Sequence, residues 1–205
     1  YYQGEEDTKH PGLYRALMTS LIGCWRELFG DDALPFLFVQ LPMYRDSAQR
    51  DDALWAVLRE AQEKAYRSVR NAGMAVMIDG GELDNVHPTD KKTVGERLFY
   101  EALRTVYGRG DAPRSPRAVG LYRDGSELVV ILSAPVTAKG EPALFEVADG
   151  NGRYVPARVE VDGNELRLSA EGMAEPTAAR YAWVNYGVVN VSGDNGLPLA
   201  PFRMA

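Results

Sequence analysis

The sequence predicts an α/β part, the back end of a doubly wound parallel sheet, followed by a small antiparallel β-sandwich domain. Three observations lead there. First, helical apolar patterns alternate with two short runs that are apolar on both faces, Pro35–Leu41 and Met74–Ile78. Runs of that kind are strands of a parallel sheet covered on both sides. Second, a Pro- and Arg-rich stretch at 111–117 is followed by short alternating runs, the pattern of antiparallel strands. Third, two of the turns between those runs are Asp124-Gly125 and Asp162-Gly163, a strong hairpin signal because glycine enters positive φ without a steric penalty. The boundary falls at 112/113, giving an α/β part over 1–112 and a β-sandwich over 113–205.

The first helix is expected from Pro11 to Phe29, with proline in the opening turn and Gly30 as the stop. Leu13, Leu17, Leu21, Cys24, Trp25 and Leu28 recur at helical spacing, which makes that stripe the core face and Cys24 a buried thiol. Asp51 and Asp52 open a second helix whose Leu54, Trp55, Leu58, Ala61 and Ala65 share a face. Asp90 or Thr89 caps a third, with Val94, Leu98, Ala102 and Val106 in register before Gly108. Two strands are too few for a parallel sheet. The missing strands are expected from another polypeptide or from a further piece of the same protein. In the second half, strands are expected at Val119–Arg123, Leu128–Leu132, Ala143–Val147, Val159–Val161, Leu166–Leu168 and Ala179–Val184. Their default role is structural, with a carbohydrate-binding face using Tyr154, Tyr181 or Trp183 as the functional option.

The totals narrow the function classes. With 205 residues, 45% hydrophobic and 25% charged, the chain has the composition of a folded globular protein. A net charge of −6 argues against a nucleic-acid or anionic-membrane partner, both of which select basic faces. No apolar run approaches the roughly 20 residues that span a bilayer. The sequence opens on Tyr1-Tyr2-Gln3-Gly4-Glu5 without an initiator methionine, so a targeting segment upstream stays open. The single cysteine excludes an internal disulfide.

Chemistry concentrates in the loop after the second strand, at Asp84-Asn85-Val86-His87-Pro88. An Asp-x-x-His step in a tight loop can place the carboxylate on the imidazole Nδ1 and leave Nε2 as a general base toward a hydroxyl nucleophile. A plain surface pair is the competing reading. His10 and His87, without clustered Cys or a Glu-x-x-His step, do not make a metal ligand set. Arg26, Arg59 and Arg97 are read as helix-surface salt-bridge partners, with contact to a substrate carboxylate as the alternative.

Several motifs agree in order: Tyr1-Tyr2-Gln3-Gly4-Glu5, Trp25-Arg26, Pro35–Leu41, Arg59-Glu60-Ala61-Gln62, Asp84-x-x-His87-Pro88, Val94-Gly95-x-Arg97-Leu98, Arg180-Tyr181-Ala182-Trp183 and Gly196-Leu197-Pro198. Together they resemble the C-terminal portion of the sialate O-acetylesterases, a carbohydrate-esterase branch of the SGNH/GDSL hydrolases. The resemblance implies a flavodoxin-like α/β hydrolase domain with an attached β domain. It also implies removal of acetyl groups from sugar hydroxyls by a Ser-His-Asp triad, with no metal or cofactor. It makes His87 the general base and Asp84 its orienting carboxylate. It places Gln3, with Gly4 and Glu5, at the oxyanion and substrate side, where an amide donor contributes about 3 kcal/mol. The implied partner is an acetylated carbohydrate, and the implied location is secreted, periplasmic or lysosome-like. Position 1 is Tyr where the family usually has Trp, and Glu6-Asp7 stands where Ser-Asn is common.

The departure is an absence. None of the serines, from Ser20 to Ser192, lies in a Gly-x-Ser-x-Gly elbow. The nucleophile is therefore expected from an N-terminal segment or subunit, since a base and an oxyanion donor alone form no acyl-enzyme. A non-catalytic glycan-binding or interaction module is the alternative.

Overall fold

The computed structural model describes residues 1–48 and 50–205. These form two compact units, Tyr1–Arg114 with Val184–Tyr186, and Ser115–Trp183 with Gly187–Ala205. No helix among the described residues is long and apolar enough to cross a membrane.

In the first unit, β1 (Phe36–Gln40) and β2 (Ala72–Val76) pair in parallel, Phe36 against Ala72 through Gln40 against Val76. Alternation along β1 sends successive side chains to opposite faces. Val39 packs with Met77, Val94, Leu98 and Tyr2 on the face covered by α3 (Lys91–Thr105). The Gln40 amide, on the other face, donates to the Arg59 carbonyl of α2 (Leu54–Ser68) at 3.1 Å. α1 (Pro11–Phe29) packs against α2. Each helix end has a local cause. Gly30 closes α1 at φ 64°, and Asp90 caps α3 by accepting from the Thr93 amide at 3.0 Å. Asp51 and Asp52 accept from the Ala53 and Leu54 amides ahead of α2.

The face of α1 is a correction. Tyr14, Met18 and Ile22 are buried, whereas Leu13, Leu17, Trp25 and Leu28 are 62%, 58%, 46% and 81% exposed. Cys24 is exposed as well. Two apolar stripes run along this helix, and periodicity alone does not say which one meets α2. Tyr14 decides it, because its hydroxyl donates to the Gln3 carbonyl at 3.0 Å and receives the Gln62 amide at 3.4 Å.

The three arginines are also corrected. Arg59 is fully buried and donates to the Val184 carbonyl at 2.5 Å; burial pushes its guanidinium down to about 10. Arg97 is buried against Asp79, and Arg26 holds the Leu34 and Arg70 carbonyls. None of the three is a plain helix-surface ion pair.

The second unit is antiparallel. One sheet orders β3 (Ala118–Asp124), β4 (Glu127–Leu132), β9 (Glu165–Ser169) and β8 (Arg158–Asp162) as β3-β4-β9-β8. A second orders β12 (Phe202–Met204), β10 (Ala178–Tyr181), β6 (Phe145–Ala148) and β7 (Tyr154–Pro156) as β12-β10-β6-β7. A short pair joins β5 (Val136–Ala138) to β11 (Val191–Gly193). Both Asp-Gly steps are hairpin turns, with Asp124 opposite Glu127 and Asp162 opposite Glu165. β10 stops at Tyr181 rather than Val184, because Ala182 turns the chain at φ 56°.

Candidate active site

Two loops leave the carboxyl ends of β1 and β2, where α/β sheets build their sites. They are locked to one another. At Gly81 a side chain is impossible, since a Cβ would lie 1.8 Å from the Met43 carbonyl oxygen. The Asp84 amide donates to the Arg45 carbonyl at 3.1 Å, and the Ser47 amide donates to Asp84 Oδ1 at 2.5 Å. Asp84 itself stands at φ 61°, a left-handed conformation that aspartate tolerates better than most residues. The hydrogen bonds from Ser47 hold its carboxyl below the usual range.

The His87 loop has its own internal brace. Glu82 accepts from Asn85 Nδ2 at 2.6 Å and from the Thr89 amide and hydroxyl at 2.7 Å each. Those bonds depress the Glu82 pKa, the Thr89 amide foremost. Asn85 Oδ1 in turn receives the His87 amide at 3.1 Å. Upstream, Arg97 grips the start of the loop: Nη1 donates to the Val76 carbonyl and to Asp79 Oδ1, and Nη2 donates to Asp79 Oδ2 at 2.7 Å. A planar fork on a carboxylate fixes direction as well as distance. His87 is therefore an exposed imidazole on a rigid loop.

The other wall comes from the start of the sequence. The Tyr1 nitrogen donates to the Leu37 carbonyl and its carbonyl accepts from the Val39 amide, so Tyr1 runs beside β1 in the parallel sense. Gly4 then turns at φ 146°, where a Cβ would meet Leu58 Cδ2 at 2.9 Å. This brings Tyr2, Gln3 and Glu5 to Val86, His87 and Lys91 around a cavity of about 330 Å³. Lys91 Nζ sits 5.6 Å above the Tyr2 ring. Burial and then the Glu5 charge push the Tyr2 phenol up to about 12, so it stays a neutral donor near neutral pH.

The sequence-derived residues thus separate into two groups. Gln3, Glu5 and His87 share one cavity, and Gly4 is the buried turn that puts them there. Asp84 is not joined to His87 by a hydrogen bond among the described residues; its carboxylate holds Ser47 instead. Gln3 is also engaged, donating from Nε2 to Asp7 at 2.5 Å and accepting the Tyr1 hydroxyl at 2.9 Å. Its amide nitrogen keeps a second N–H. Among the described residues no three His, Cys, Asp or Glu side chains come together as a metal ligand set.

No family model matches the chain. The sialate O-acetylesterase of Mus musculus is 26% identical over 212 residues, taking in 91% of this chain and 39% of the mouse protein. The human sialate O-acetylesterase is 26% identical over 211 residues, with 91% and 40% covered. Among solved structures, a carbohydrate acetylesterase from Xanthomonas citri superposes with a TM-score of 0.91 at 31% identity, over 100% of this chain and 49% of that one. The chain is homologous to the sialate O-acetylesterases. It spans 39% of the length of the mouse protein and 49% of the Xanthomonas chain.

Within the part shared with the sialate O-acetylesterases, sequence reasoning passed over Tyr2 and Lys91, both on the cavity wall. Lys91 had a signal: it lies four residues after His87, where α3 begins. Ser47 gave none, because the 2.5 Å bond to Asp84 comes from its backbone amide, a donor that every non-proline residue carries.

Proposed function

We propose that this chain is the general-base part of a serine-type carbohydrate O-acetylesterase that hydrolyses acetyl esters on sugar hydroxyls. In this reading the fold is the C-terminal part of an SGNH-type α/β domain followed by a β-sandwich. The protein acts on extracellular glycans in a secreted, periplasmic or lysosome-like setting. The observation that carries the reading is the cavity in which His87 and Gln3 meet although they come from distant parts of the sequence. A base and an amide donor facing one space are what acyl transfer requires beside a nucleophile. His87 takes the proton from a serine hydroxyl supplied by an N-terminal segment or subunit, then returns it to the leaving sugar oxygen. Gln3, through its second amide N–H, stabilises the developing oxyanion, while Glu5 and Lys91 meet the sugar's hydroxyls. Asp84 is the nearby carboxylate in sequence; to reach the imidazole it must exchange the Ser47 amide for His87.

The test is acetate release from 4-nitrophenyl acetate and from an O-acetylated sugar, with intact mass measured on the same sample. The expected result is turnover only when a serine-bearing polypeptide accompanies the chain, abolished by His87→Ala. Turnover by the 22.6 kDa chain alone that survives His87→Ala would sink the assignment.

A further inference from the structure

Helix α2 begins without a cap of its own. The residue at its N-cap is Ala53, which has no side-chain acceptor and stands at φ 59°, a strained conformation for alanine. The acceptor comes from far along the sequence. Asn185 Oδ1 takes the Trp55 amide at 3.0 Å, the bond that an N-cap side chain makes to the second helical residue. Asn185 is buried. Val184–Tyr186 belong to the first unit although the residues on either side of them belong to the second.

Every other polar group of Asn185 is engaged too. Its Nδ2 donates to Asp52 Oδ1 at 2.8 Å, and its amide donates to Asp51 Oδ1 and Oδ2 at 3.1 and 3.0 Å. Its carbonyl accepts the Tyr44 amide at 2.9 Å. One buried residue thus ties the start of α2 to the loop after β1. The Tyr44 ring lies 5.0 Å from that of Trp55, so backbone and ring hold Tyr44 to the same helix end. Tyr44 directly precedes Arg45, whose carbonyl accepts the Asp84 amide, and Ser47 donates to the Asp84 carboxylate. From Asn185 to Asp84 the path is one hydrogen bond, one peptide link and a second hydrogen bond. Neither Asn185 nor Tyr44 lines the cavity that Gln3 and His87 share.

We infer that Asn185 is a positioning residue for acyl transfer at His87. It fixes the Tyr44–Ser47 loop, and that loop fixes the place from which Asp84 reaches the imidazole. The catalytic consequence rests on the esterase reading; the clamp itself rests on the hydrogen bonds alone. Because the cavity wall is made elsewhere, loosening the clamp should lower kcat and leave KM in place.

The experiment begins with amide hydrogen exchange on the unmodified chain in low urea. The Asn185, Tyr44, Ser47 and Asp84 amides should share one opening reaction, with the same urea dependence, while those of β1 stay closed. Separate opening of Ser47 and Asp84 would overturn the proposal without any variant having to fold. Asn185→Ala should speed exchange at Ser47 and Asp84 about 30-fold. In the serine-complemented enzyme it should lower kcat about 10-fold with KM within about twofold, the signature of lost placement rather than lost binding. That loss should vanish in the Asp84→Asn background, since both changes act on one group. Asn185→Asp sets a carboxylate against Asp52 and should resemble Asn185→Ala. Adding Asp52→Asn swaps donor and acceptor, and should return exchange and kcat to within about threefold of the parent. Unchanged exchange at Ser47 and Asp84, a raised KM with kcat intact, or a kcat loss that persists in Asp84→Asn would each refute the role. Turnover of the parent enzyme that survives His87→Ala would sink the esterase reading and the catalytic role with it. The exchange data, taken on this chain alone, decide the clamp separately.

Discussion

The Ser47 amide and the Asp84 carboxylate, thirty-seven residues apart, meet at 2.5 Å and join the loops that follow β1 and β2. Asp84 therefore has a structural bond to lose before it can serve His87. Asparagine keeps an acceptor for the Ser47 amide but not the charge that would stabilise an imidazolium. Asp84→Asn should leave Tm close to that of the unmodified protein and lower kcat about 100-fold in the serine-complemented enzyme. Asp84→Ala should lower both, and His87→Ala should cost about 1000-fold without moving Tm. Thermal unfolding and acetate release on the three variants separate the roles; an Asp84→Asn enzyme of full activity would confine this carboxylate to scaffolding.

The same carboxylates set a pH limit on the site. Asp84, Glu82 and Asp90 all titrate below their usual range because amide and hydroxyl donors bond their charged forms. A depressed folded-state pKa stabilises the fold above the unfolded value, near 4, and that stabilisation drains away as pH falls through the lower folded values. Hydrogen exchange of the Ser47, Thr89 and Thr93 amides should be unchanged from pH 7 to 5 after correction for intrinsic rates. Their protection should drop below about pH 4, ahead of the amides of β1. Simultaneous loss across β1 and the loops would show that the braces have no independent titration.

Gly81 offers a stricter test of how tightly the loops are joined. A Cβ there meets backbone, the Met43 carbonyl oxygen at 1.8 Å, and backbone cannot swing away as a side-chain tip can. Gly81→Ala should destabilise by about 3 kcal/mol, seen as a fall in the urea midpoint. Gly95→Ala in α3, where nothing lies within 4 Å, should be neutral or slightly stabilising. Equal midpoints would mean that the loops separate at little cost.

Much of this architecture was legible in the residues. Strands apolar on both faces, the Asp90 cap and both Asp-Gly hairpins are local signals, and each formed where its chemistry places it. Of the residues read as a candidate site, Gln3, Glu5 and His87 line one cavity. The remainder depended on partners that sequence spacing does not reveal. The Asp84 carboxylate found a backbone amide in another loop rather than the imidazole three residues on. The short strands β5, β7, β11 and β12 have three residues each, too few for an alternating pattern to register.

Helix α1 shows the same limit and yields the last prediction. Its leucine stripe scores as a core face, yet Leu17 is 58% exposed while Met18, one residue on, is 3% exposed. Burial, not hydrophobicity, decides the cost of truncation. Met18→Ala removes a buried thioether from the packing of α1 against α2 and should cost about 3 kcal/mol. Leu17→Ala removes a half-solvated side chain, replaces it with the strongest helix former, and should stay within about 0.5 kcal/mol of the parent. Chemical denaturation of this chain by itself distinguishes the two. Should a serine-bearing polypeptide cover the leucine stripe, Leu17→Ala would become costly only in its presence, and the difference between the two measurements would report that contact directly.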